Sequence, residues 1–231
     1  MDNNNLIPFQ KNDAFSFRCA PDVACFNECC QDLNQTLTPY DILRIKKFLG
    51  LSSGDFLDRY TNKTIGMETG LPVISIKTKS PTDLRCIFVE PYGCKIYEHR
   101  PGSCRTYPFA RVLSKNRKTG ELTEQYVLIK EDHCLGFNEK NKQTLDQWID
   151  SQAIRPYNET NDLLMTIIQL INSKKIIVNQ DFKERFYMAC YDLDRFREFA
   201  SINKIWEHYK ISKPEEDLDL LKFAFRWLGE K

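Results

Sequence analysis

No stretch of this 231-residue chain approaches ~18 uninterrupted apolar residues, so the sequence offers no membrane span. The formal net charge is only +1, which supplies no field to gather nucleic acid or an anionic membrane. Met1 to Phe17, MDNNNLIPFQKNDAFSF, has no basic n-region, no apolar h-region and no small-residue cleavage site. The chain is therefore expected in the cytoplasm, where glutathione keeps thiols reduced. The usual catalytic signatures are missing: there is no G-x-G-x-x-G, P-loop, H-E-x-x-H or G-x-S-x-G. A radical-SAM triplet, C-x3-C-x2-C, is absent too, since Cys25 and Cys29 supply only its first half. Internal repeats, low-complexity runs and flexible linkers are also lacking.

What remains is an ordinary globular composition with one exception. Hydrophobic residues make up 42% and charged residues 28%, enough for a real core. The exception is nine cysteines, eight of which lie in the first 134 residues: Cys19, Cys25, Cys29, Cys30, Cys86, Cys94, Cys104 and Cys134. Clustered thiols in a reducing compartment point to metal ligands rather than to a disulfide framework.

The pattern along the chain predicts an α+β architecture. The run FRCAPDVACFNECCQ reads as a loop with short turns. A helix is expected from Thr38 as N-cap and Pro39 at its first position, with Asp41 in the first turn and Gly50 past its end. Ile42, Ile45, Phe48 and Leu49 form its apolar stripe. Ser52 or Ser53 opens a second helix through Tyr60. The period then shortens: Val73 to Ile76, Cys86 to Val89, Phe109 to Ser114 and Tyr126 to Lys130 read as strands. Lys115 to Gly120 looks like a hairpin connection with a solvated basic tip. Beyond Cys134 the chain reads as helical: Leu145 to Ile154, a longer helix after Asn161 as cap, Phe182 to Ala200, Ile205 to Tyr209 and Leu218 to Leu228. Residues 1–137 are expected to form a cysteine-cluster metal-binding module, with a small antiparallel sheet, and 138–231 a helical extension packed on it.

Read as spacings, the thiols fall as C-x5-C-x3-C-C, then C-x7-C-x9-C, then Cys134 alone. Thiolates are soft ligands that suit zinc or iron–sulfur. Eight can supply two four-thiolate sites, or one site with spectators. Structural zinc modules usually use paired C-x2-4-C knuckles, and here only the stretch from Cys25 to Cys29–Cys30 has such a spacing. The spacing therefore leans to iron–sulfur, with a 4Fe–4S cluster favoured and zinc the alternative. The adjacent pair Cys29–Cys30 is awkward for one small ion, because neighbouring side chains tend to point apart. It can serve two different metals, or one of the two can be a thiol outside the ligand set.

FRCAPDVACFNECCQ, then CIFVEPYGCKIYEHRPGSCRTYPF, then HCLGF, resembles the YkgJ-type cysteine-cluster family of zinc- or iron-chelating domains over residues 17–137. The resemblance implies chelation by Cys19, Cys25, Cys29, Cys30, Cys86, Cys94, Cys104 and Cys134. The first gap departs from the family, with five residues between Cys19 and Cys25 where two are common. The flagellin lysine N-methylase belongs to the same superfamily, so an enzymatic use of the cluster is open by fold-level analogy.

Arg100 and Arg105 are candidates for stabilising the negative charge of a metal–thiolate centre, or for locking their own loop. His99 and His133 could replace a cysteine as ligand, but a surface or supporting place suits them as well. His208 reads as surface, and Cys190 as a buried apolar residue on a helix. Three functions stay open. The first is a metal-binding protein for electron transfer, metal handling or sensing, with an unidentified protein partner. The second is a protein-modifying enzyme, such as a lysine N-methyltransferase using S-adenosylmethionine. The third is a zinc-stapled interaction domain. Nucleic acid and membrane are not expected as partners.

Overall fold

A computed structural model describes residues 6–115, 121–138 and 140–230. Its architecture is α+β, with small antiparallel sheets in the first two thirds and a helical C-terminal region. Among the described residues no helix is long and apolar enough to cross a membrane.

Helix α1 spans Pro39–Leu49 for the reasons its sequence gives. Thr38 and Asp41 form a reciprocal capping box, Pro39 opens the first turn, and Gly50 ends the helix at φ +66°, a left-handed conformation open to glycine. Ile42 and Ile45 face the core. Phe48 does not: it is exposed and stacks on His99 with ring centres 4.5 Å apart. Helix α2 (Ser53–Tyr60) starts at the Ser52 cap and buries Phe56 completely.

Three short strands follow the same antiparallel rule. β5 (Pro72–Ile76) lies between β3 (Thr36–Leu37) and β4 (Thr61–Ile65). Ile74 and Ile76 face inward from it. In a second sheet β9 (Leu122–Ile129) lies between β1 (Leu6–Phe9) and β8 (Phe109–Lys115). The β8–β9 pairing matches the expected hairpin, and its connection from Asn116 to Gly120 lies outside the described residues. Two ribbons complete the strands: β2 (Ala14–Ser16) with β10 (Lys142–Thr144), and β6 (Val89–Glu90) with β7 (Gly93–Cys94).

The strand expected at Cys86 to Val89 is interrupted: Cys86 forms a single bridge with Thr78, Ile87 and Phe88 are a turn, and β6 starts at Val89. The turn closes with the Val89 amide donating to the Cys86 carbonyl at 3.0 Å, which brings the Phe88 amide near the Cys86 sulfur. A short helix, α3 (Gly102–Thr106), carries Cys104.

The C-terminal helices are α4 (Leu145–Ser151), α5 (Arg155–Asn172), α6 (Gln180–Cys190), α7 (Leu193–Ile202), α8 (Ile205–His208) and α9 (Asp217–Gly229). Two expectations about them change. Helix α5 begins six residues before Asn161, because Pro156 sets the backbone of its first turn and Asn161 is simply carried inside. The continuous pattern from Phe182 to Ala200 is broken at Tyr191–Asp192 into α6 and α7. No glycine or proline marks the break; Tyr191 is held there by packing against Phe186 and by donating its hydroxyl to the Pro72 carbonyl. Tertiary contacts outweigh local propensity at this point.

Apolar burial falls into two clusters. The larger joins α1, α2 and β5 to α6, α7 and α9, through fully buried residues such as Ile45, Phe56, Phe196 and Leu228. The smaller is aromatic, gathering Phe15, Phe17 and Phe109 with Leu145, Ile149 and Ile154. Phe88 and Ile96, which flank the cysteine hairpin, belong to the larger cluster. Phe17 and Cys134 belong to or pack on the smaller. The cysteines therefore sit where two cores meet.

Candidate metal centre

Three segments distant in sequence bring the thiols together. The first loop ends in a single 3-10 turn, Glu28–Cys30. The Cys86 amide donates to the Cys30 carbonyl at 2.8 Å, which lays the second segment beside the first. The Leu135 amide donates to the Cys25 sulfur at 3.2 Å, which brings back the third. Cys104 follows through α3, whose first amide, at Gly102, donates to Asp41 Oδ1 at 2.8 Å.

Backbone amides lie close behind other sulfurs: Phe88 at Cys86, Ile96 at Cys94 and Gly136 at Cys134, each two residues on, favour the thiolate, while the Val89 amide also donates to the Cys86 carbonyl at 3.0 Å. Such amides favour the thiolate over the thiol and moderate the charge of a metal–thiolate centre. The Tyr107 hydroxyl adds a side-chain donor, lying within reach of both the Cys134 sulfur and Glu131.

Mutual repulsion sorts the thiols into two groups. Burial pushes Cys19 up to about 11, with further contributions from Cys29, Cys25 and Cys134. Burial pushes Cys104 up to about 12, assisted by Cys86, Asp41, Cys94 and Cys29. Cys19 and Cys104 both reach solvent, yet each is crowded by surrounding protein. The adjacent thiols of Cys29 and Cys30 are coupled, which lowers Cys29 and raises Cys30. Cys30 is raised in addition by Cys104 and Cys86, whereas Cys134 is raised by Cys25 and Cys29. These influences set Cys19, Cys25 and Cys134 apart from Cys86, Cys94 and Cys104, with the adjacent Cys29 and Cys30 coupled to each other and Cys29 acting on Cys104 as well.

Six of the eight (Cys19, Cys29, Cys30, Cys86, Cys94 and Cys104) line a cleft of about 1050 Å³. Arg100, Trp148 and Gln152 belong to its wall. Arg100 is nearly buried, stacks on the Tyr97 ring at 3.9 Å, and donates to the Tyr97 carbonyl at 2.6 Å and to Gln152. Its charge favours the thiolates of Cys19 and Cys94. Arg105 spends its donors on the carbonyls of Arg100, Gln152 and Glu98, and so fastens its own loop. His133 lines the cleft and pairs with Glu131 at 3.7 Å. His99 faces Phe48 and Arg44. His208 is exposed on α8, and Cys190 is fully buried in the larger core.

Several residues around the site carry no sequence signal of their own. Gln35 accepts from the Cys104 thiol at 3.5 Å, and Tyr107 reaches Cys134. Both are polar residues whose meaning comes from their neighbours in space. Among the described residues, no three histidine, cysteine or carboxylate side chains already stand as a ready-made metal site. The donor set itself, soft sulfurs with amide donors at their backs, fits zinc, iron or an iron–sulfur cluster.

This chemistry defines a cysteine-rich metal-chelating domain. A family model for the CxxCxxCC family, described as a zinc- or iron-chelating domain, matches residues 18–135. The chain belongs to that family, in agreement with the YkgJ-type resemblance of its cysteine blocks. No solved structure matches the chain.

Proposed function

We propose that the cysteines hold an iron–sulfur centre, a 4Fe–4S cluster, that serves electron transfer, metal handling or sensing in the reducing cytoplasm. The observation that carries this reading is the cleft: six of the candidate sulfurs line an opening of about 1050 Å³ instead of closing on themselves. A purely structural zinc site is closed, whereas a centre that exchanges electrons or ligands needs access. No two of Cys30, Cys86, Cys94 and Cys104 stand at a C-x2-4-C spacing, which favours the same choice for them. Cys30, Cys86, Cys94 and Cys104 would hold the cluster, which supplies one-electron chemistry when bound. The amides of Phe88 and Ile96 lie near two of these sulfurs and favour their thiolates, and Arg100 holds positive charge beside them. An unidentified protein is the electron donor or acceptor in this account.

A second reading keeps the centre but adds a substrate. The cleft is as large as the sites that take small molecules, roughly 300–1,000 Å³. A protein-modifying enzyme using S-adenosylmethionine would occupy it. Spectroelectrochemistry on protein purified without oxygen tests the first reading. It expects reversible bleaching of the visible absorption with no co-substrate present. Saturable binding of S-adenosylmethionine, with no reversible reduction, would favour the second.

A further inference from the structure

Behind the cleft lies a second, much smaller cavity of about 20 Å³. Its wall contains Cys19, Cys25, Cys29 and Cys134, of which Cys25 and Cys134 are absent from the wall of the cleft while Cys19 and Cys29 belong to both. A cavity needs about 10–15 Å³ of such space for one water, so this one admits a single ion and not a multi-iron cluster. Phe17, only 3% exposed, and Gly136 help enclose it. One of its four sulfurs, that of Cys25, already accepts an amide hydrogen bond, from Leu135 at 3.2 Å. Four thiolates around a space of this size are the features of a mononuclear site.

The adjacent cysteines explain how two centres can share one loop. Cys29 and Cys30 lie in a 3-10 turn, where successive side chains diverge by about 120° around the axis. Cys29 lies in the walls of both the small cavity and the cleft, whereas Cys30 lies in that of the cleft alone, with Cys86, Cys94 and Cys104. A single small ion would not use both.

We propose that the eight cysteines form two separate centres: Cys19, Cys25, Cys29 and Cys134 bind one mononuclear zinc or iron ion, and Cys30, Cys86, Cys94 and Cys104 bind the centre exposed in the cleft. The proposal rests on reading the cysteines as metal ligands, and assigns the cluster of the proposed function to the second group. The small site staples the first loop to the return segment, and the large one faces outward for chemistry.

Native mass spectrometry of the intact holoprotein, purified without oxygen, tests the division. The expected mass excess is one metal ion plus one four-iron cluster. A Cys25→Ser variant should lose the single ion and keep its visible absorption. A Cys94→Ser variant should lose the absorption and keep the ion. A wild-type protein with one centre only would overturn the division, as would loss of the cluster in Cys25→Ser with the ion retained. Two single ions and no cluster would leave the division standing and overturn the iron–sulfur reading instead. The wild-type mass decides the matter even where a variant fails to fold.

Discussion

The Leu135 amide donates a hydrogen bond to the sulfur of Cys25 at 3.2 Å, across 110 residues of chain. It joins the first cysteine loop to the segment that returns after the β8–β9 hairpin. Leu135 opens a short 3-10 turn, and Leu135→Pro removes this donor while also restricting the backbone of Cys134 before it. Loss of a group that supports a metal ligand typically costs about 10–100-fold in affinity. Chelator competition should show a loss of that order in Leu135→Pro, and none in Leu135→Ala, which keeps its amide.

Gly136 is a glycine because there is no room for anything else. A Cβ there would lie 2.7 Å from the Arg18 carbonyl oxygen and 2.8 Å from the Phe17 ring. The first of these is backbone and cannot turn away. Overpacking of this kind costs about 1–3 kcal/mol. Gly136→Ala should unfold at a lower denaturant concentration and should retain less metal, because Cys134 must shift with it. Equal unfolding midpoints would contradict the close approach.

Asp41 serves two helices at once. One carboxylate oxygen takes the Thr38 amide and hydroxyl at the start of α1, and the other takes the Gly102 amide at the start of α3. The side chain is buried, and burial raises its carboxyl above the usual range despite these donors. Asp41→Ala removes a cap and leaves buried amides unpaired, at a cost of about 2–3 kcal/mol. Thermal unfolding should report that loss, and Asp41→Asn, which keeps one acceptor, should lose less.

Lys46 gives the clearest pH signature. Its ammonium is nearly buried and lies 3.2 Å from Asp194 and 2.9 Å from Asp217, tying α1 to α7 and α9. Burial alone would raise both carboxyls. The Ser53 amide and Lys46 outweigh it at Asp194, and Lys46 with Arg197 outweighs it at Asp217, so both lie below the usual range. A lowered carboxyl stabilises the fold above its ordinary value and loses that contribution as pH falls through it. Removing the lysine leaves two partly buried carboxylates short of a partner, at a cost of about 2 kcal/mol at neutral pH. Denaturant titrations should show the gap between wild type and Lys46→Met narrowing as pH falls below about 4. A gap constant with pH would exclude the ion network as its source.

Much of this was legible in the chain. Thr38, Pro39, Asp41 and Gly50 mark α1 by local chemistry, and the structure keeps all four in those roles. The cysteine blocks mark the family, because number and clustering of thiols survive without any knowledge of the fold. Other features were hidden because they depend on contacts made in space. The break between α6 and α7 has no glycine or proline to signal it, and Pro156 starts α5 ahead of the more conspicuous Asn161. The second role of Asp41, at Gly102, spans 61 residues that no local pattern connects. The grouping of Cys29 with Cys134 and of Cys30 with Cys104 requires the fold, since spacing alone left the pair ambiguous.

The most direct test of the account is iron and acid-labile sulfide analysis, with a visible spectrum, on the protein purified without oxygen. The account predicts iron with matching sulfide, a broad visible absorption from the cluster, and one further metal ion per chain. A colourless protein containing only zinc would contradict the iron–sulfur assignment and leave a zinc-chelating scaffold in its place.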